Sequence, residues 1–192
     1  MSDYERRACG ELEVREVDGA PQIVGYSAVF NTLSEELPGH YRETILPGAF
    51  RDALASPADV VALVEHAPPP LGRRSAGTLQ IMEDDRGLQV AITPPDTQDA
   101  RDAVARVKRG DYNGMSFRFL VGKGGQNWRR DGDQRIREIR AVEKLPEVSI
   151  VTFPAYLDTS VALRSLDEFE QSEVEIWAEN QRKRLDIEEA SI

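Results

Sequence analysis

The sequence predicts a mainly β domain with flanking helices, an α+β plan, continued by a charged helical tail. Three observations carry that expectation. Between residues 11 and 94, apolar and polar residues alternate in short runs parted by turn residues, which is the period of half-buried strands. A stripe of helical period stands out at 97–110. After residue 161 the alternation gives way to a charged stretch with few apolar residues.

The elements follow in order. ELEVREV (11–17), the turn Asp18-Gly19 and QIVGYSAVF (22–30) read as a hairpin. Residues 31–41 read as a loop, and YRETILPGAFRDAL passes through Pro47-Gly48 into a short helical stretch at 48–55. ADVVALVEH (58–66) is a strand rich in β-branched residues, stopped by a prolyl run, APPPLG, that must leave the sheet. AGTLQIMED (76–84) and GLQVAITP (87–94) form a second hairpin. In TQDARDAVARVKRG, Ala100, Ala103, Val104 and Val107 fall at i, i+3, i+4 and i+7; Asp96 or Thr97 caps this helix and Gly110 ends it. A strand at 114–121, a Gly-rich polar loop at 122–134 and strands at 135–142 and 147–153 complete a barrel or strongly curled sheet. Residues 1–164 are the expected domain and 165–192 an acidic helical C-terminal extension.

Composition bounds the function. A chain of 192 residues and 21.5 kDa, 40% apolar, suits one domain plus an extension. The net charge is −10, and the tail from residue 165 holds nine acidic and three basic side chains, leaving a nearly neutral body. With no cationic excess, no nucleic-acid partner is expected. Cys9 is the sole cysteine, so neither an intrachain disulfide nor a thiolate metal site can form. No run approaches the roughly 20 apolar residues of a membrane span, and the charged N-terminus lacks the apolar core of a secretory signal. A soluble protein made in a cytoplasm is expected, with no membrane, metal or cofactor.

Candidate chemistry centres on GDYNGMSFRF (110–119). Alternation puts Met115, Phe117 and Phe119 on the core face of a strand and Ser116 and Arg118 on the other. A solvent-facing Ser-x-Arg pair is one reading; a nucleophile is the other, and it needs a base. Of the two histidines, His40 lies in a polar loop, whereas His66 ends the row Val60, Ala62, Val64 at a strand terminus. His66 is either a partly buried structural residue or a general base held before a rigid loop. Glu147 opens an apolar strand, where a carboxylate is out of character unless paired or working. It either orients His66 or pairs with an arginine of strand 135–142, and Glu43 and Asp111 compete with it. The second glycine of G-x-S-x-G is missing, as are phosphate-loop, HExxH, CxxC and GxGxxG patterns.

The runs GYSAVFNTLS…YRETILPGAF, VALVEHAPPPLGRRSAGTLQIMEDDRGLQV, RVKRGDYNGMSFRF and LPEVSIVTFPAYLDTSVALRS, spread over residues 11–165, resemble the prohead (capsid maturation) serine proteases of tailed bacteriophages. The resemblance implies a serine endopeptidase with a β-barrel like that of the herpesvirus assembly protease. Carried over by motif, Ser116 is the nucleophile, His66 the general base and Glu147 the third member. Arg118 stands where the family often has a small residue, and is a candidate oxyanion-side or substrate-side cation. The implied partners are the major capsid protein and its scaffold region, with self-association and self-cleavage; the implied place is the immature head in the host cytoplasm. Two rivals are a non-catalytic scaffold or assembly protein of the same fold and an unrelated cytoplasmic esterase.

Overall fold

A computed structural model describes residues 4–9, 11–153 and 160–189. Residues 154–159 of the last family motif, and the end of the tail at 190–192, lie outside that description.

Among the described residues, twelve strands and three helices make the expected mainly β chain, but the strands form three sheets and close no single barrel. A five-stranded sheet has the order β1 (Glu5–Cys9), β9 (Gly114–Val121), β12 (Val142–Val151), β5 (Val61–Val64), β6 (Ala67–Arg73). A four-stranded antiparallel sheet runs β2 (Glu11–Val17), β3 (Ala20–Val29), β8 (Gly87–Ile92), β7 (Leu79–Glu83). A three-stranded sheet joins β10 (Gln126–Asp131), β11 (Gln134–Ile139) and β4 (Tyr41–Ile45). Each sheet keeps its own edges.

The core fills the space between the first two sheets. Met115, Phe117, Phe119, Val148 and Ile150 meet Ile23, Leu88, Val90 and Ile92 there. Helix α1 (Arg51–Ala55) contributes Ala53, and α2 (Gln98–Arg109) contributes Ala100, Ala103, Val104 and Val107, the stripe expected from the sequence. Thr97 is the residue at the start of α2, and Gly110 ends it at φ +87°, a left-handed conformation that glycine adopts without steric cost. Helix α3 (Ser160–Glu189) runs unbroken across residue 165. Its first turns pack Ala162, Leu163, Leu166 and Phe169 against Leu37, Tyr41 and Trp128. Farther out, Val174, Ile176 and Trp177 are exposed. No helix among the described residues is long and apolar enough to cross a membrane.

Several local expectations are corrected. The polar stretch 122–134 is not all loop: β10 and β11 form a hairpin there, turned at Gly132 (φ +60°). Residues 41–45 are a strand, parallel to β11. The charged N-terminus holds β1, with Glu5 and Arg7 fully buried. The prolyl run does not leave the sheet but returns beside β5 as the edge strand β6, where a missing amide hydrogen is tolerated. Strand β5 is correspondingly short, and His66 lies beyond its end.

Candidate active site

Four residues across the five-stranded sheet form one row. Ala8 of β1, Ser116 of β9, Ser149 of β12 and Leu63 of β5 are successive cross-strand partners. The next row is Arg6, Arg118, Glu147 and Val61. Because paired residues project to the same side, Ser116, Arg118, Glu147 and Ser149 share one face of the sheet. The opposite face, with Met115, Phe117, Val148 and Ile150, belongs to the core.

His66 reaches that polar face through its turn. Val64 pairs with Ala67, and the two residues between them, Glu65 and His66, have φ of +49° and +60°. Two successive positive φ values make the tight hairpin connection that matches strand twist, usually built from Asn or Gly. Non-glycine residues held there are strained and must be fixed by their surroundings. Glu65 supplies the fixing: its amide donates to the Ile150 carbonyl at 3.0 Å, and its Oε1 accepts from the amide and hydroxyl of Thr152 at 2.7 and 2.6 Å.

The alternation expected from the sequence, with His66 on the side of Ala62 and Val64, therefore fails at the turn. Val61 and Leu63 are the β5 residues that share a face with Glu147 and Ser149, and the imidazole joins this other side. His66 Nδ1 lies 2.5 Å from Glu147 Oε1 and 3.2 Å from Ser149 Oγ. Its side chain is only 12% exposed and that of Glu147 9%. An ionised carboxylate can only accept, so Nδ1 carries the proton, and Nε2 of the neutral ring holds the lone pair. That is the tautomer a general base needs.

Ser116 is not solvent-facing. It is 2% exposed, and its Oγ, wholly buried, has no hydrogen-bond partner. Buried hydroxyls are ordinarily paired, since an unmet one costs about 1–3 kcal/mol. Arg118 is half-buried on the same face, with its guanidinium 4.8 Å from the Tyr4 ring centroid.

The competing groups have other partners. His40 is exposed and bonded to Glu36 at 2.6 Å. Asp111 pairs with Arg109. Glu43 is buried against Arg7 and Arg137. Glu147 thus bonds His66 and not an arginine of β11. Sequence reading missed Ser149 and Glu65. Ser149 had a signal: in EVS it sits two residues after Glu147, on the same side of a strand. Glu65 had none, because its role exists only once the turn is formed.

Comparison with known proteins places the chain in a family. The profile of a family described as caudovirus prohead serine protease matches residues 10–172. The prohead protease of Enterobacteria phage HK97 is 31% identical over 159 residues, which cover 80% of this chain. The chain spans 65% of the length of that curated relative. No solved structure matches the chain.

Proposed function

The chain belongs to the caudovirus prohead serine protease family, and on that premise we propose that it is a serine endopeptidase of phage capsid maturation in which Ser116 is the nucleophile, His66 the general base and Glu147 its orienting carboxylate. The observation that carries the reading is the His66 Nδ1–Glu147 bond on the sheet face that also holds the unbonded Ser116 hydroxyl. In this mechanism Ser116 Oγ attacks a peptide carbonyl while His66 Nε2 takes its proton. Glu147 stabilises the imidazolium, which then protonates the leaving amine; water releases the acyl group by the reverse proton path. Arg118 is the cation nearest in register to Glu147 and Ser116, and it serves the substrate or the developing oxyanion. Because the Ser116 hydroxyl is shut from solvent here, a substrate strand must open this face before attack.

The substrates in this proposal are scaffold segments of the major capsid protein and the protease itself, cut inside the immature head in the host. A fold kinship with the herpesvirus assembly protease and self-association belong to the same proposal. Incubating Ser116→Ala with purified capsid precursor tests it: processing should cease, and wild-type processing would sink the assignment. The closed Ser116 hydroxyl also favours a second reading, a non-catalytic assembly protein of this fold. That reading predicts no labelling of Ser116 by a serine-reactive phosphonate in the wild-type protein.

A further inference from the structure

Two buried serines, not one, lie in the row beside His66. Ser149 is fully buried, stands directly opposite Ser116 across the β9–β12 ladder, and is the serine whose Oγ touches the imidazole, at 3.2 Å from Nδ1. Proximity alone would make Ser149 the nucleophile. The tautomer forbids it. Glu147 holds the proton on Nδ1, so the nitrogen that Ser149 meets is a donor and has no lone pair with which to accept a hydroxyl proton.

We infer that Ser149 is a positioning residue, acting through His66 and resting on the assignment of His66 as the base. Its Oγ takes a second, longer share of the Nδ1–H, so that the ring is seated on two acceptors of one strand, Glu147 and Ser149. One acceptor fixes a distance but leaves the ring free to pivot about the bond. Two acceptors fix its plane, and the plane sets where Nε2 points. The seat is tied to the nucleophile by register: β12 carries both acceptors, and the same residue that supports the ring faces Ser116 across the ladder. The strained Glu65-His66 turn brings the ring to the face, and Ser149 limits how it turns once there.

The experiment compares Ser149→Ala, Ser149→Thr and Ser116→Ala in the full chain, using a serine-reactive phosphonate with mapping of the labelled residue, and peptide cleavage to separate kcat from KM. Ser149→Ala removes one oxygen from a buried site and should keep the fold. Its labelling rate and kcat should fall about tenfold, the worth of one neutral hydrogen bond in the transition state, with KM unchanged. Ser149→Thr, which keeps the hydroxyl, should stay within about threefold of the parent. In Ser149→Ala the His66 Nδ1–H, followed by NMR, should exchange with water faster. Labelling and kcat at the parental rate in Ser149→Ala, beside an inert Ser116→Ala, overturn this inference and leave the triad standing. Phosphonate attached to Ser149 in the parent protein also overturns it. A Ser116→Ala variant that labels and cleaves like the parent sinks the underlying assignment instead.

Discussion

Strand β9 has a buried polar cluster on each side, and the two differ in how completely they are satisfied. On the side of Phe117 and Phe119, Glu5, Arg7, Glu43 and Arg137 form a closed set of two carboxylates and two guanidiniums. Glu5 accepts from Arg137 at 2.6 and 2.7 Å and from Arg7 at 2.8 Å. Glu43 accepts from Arg7 at 2.6 and 2.8 Å and from Arg137 at 2.7 Å. Arg137 gives its Nε–H to Gln126, and the Arg7 guanidinium lies 5.5 Å from the Phe119 centroid. On the side of Ser116, one hydroxyl has no partner and one imidazole is bonded through a single nitrogen. Pairing of both carboxylates with both guanidiniums makes the first cluster a joint between sheets. Incomplete pairing leaves the second, in the proposed mechanism, with a lone pair and a hydroxyl to react.

Substitutions can break this contrast. The largest expected effect is on the unsatisfied side: Ser116→Ala or His66→Ala should lower peptide cleavage by on the order of 10⁶-fold. Ser116→Ala should also melt no lower than the parent, and gain about 1 kcal/mol, because it deletes an unmet buried hydroxyl. A large drop in its melting temperature would show that the hydroxyl is structural. Glu147→Gln, which can offer His66 the wrong hydrogen-bond partner, should cost about 10⁴-fold in kcat with little change in KM.

The satisfied side should respond in stability instead. Arg137→Met leaves two buried carboxylates to share the single guanidinium of Arg7 and should cost about 3–5 kcal/mol in denaturant unfolding. Catalysis per folded molecule should change far less than in Glu147→Gln; an equal loss would merge the two clusters into one functional unit. Acid sharpens the same point. Burial alone would raise the Glu43 carboxyl, but Arg7 and Arg137 outweigh it and hold its pKa below the ordinary 4.5. A depressed pKa gives stability that is fully present above the unfolded value and lost as pH falls through the folded one. The melting temperature should therefore hold near neutrality and fall below about pH 4.5, and Glu43→Gln should flatten that decline. The smallest effect belongs to the exposed pair Arg130–Glu173 at 2.7 Å. Glu173→Gln should cost no more than about 1 kcal/mol, less in high salt.

The same two clusters explain what the sequence disclosed. Ser116, His66 and Glu147 could be nominated because each is rare or out of place in its local pattern. Both early hairpins and α2 were legible from period and turn residues, as at Asp18-Gly19. Strand β1 was not, because pattern reading takes Glu and Arg for surface residues, and ERRAC hides its inward charges until partners from β4 and β11 arrive. The placement of His66 was misread for a related reason. Alternation assumes a continuing strand, and only backbone dihedrals reveal that two residues with positive φ carry the ring to the other face. Strand β10 was hidden by its polarity, although Asp131-Gly132 before β11 is a hairpin signal.

The closed set of charges also places a clock on the making of the protein. Glu5 and Arg137 are 132 residues apart in sequence, so the set of charges cannot close until the chain between them has been made. At a synthesis rate of roughly 5–20 residues per second, that wait lasts several seconds or more. Until then β1 carries a charge that is incompletely matched and is better hydrated than buried. The strand that flanks Ser116 is thus among the last pieces to be fitted. A nascent chain lacks its finished sheet until Arg137 and β12 have been made, and in the proposed function the fold itself delays the moment at which a cutting site can exist.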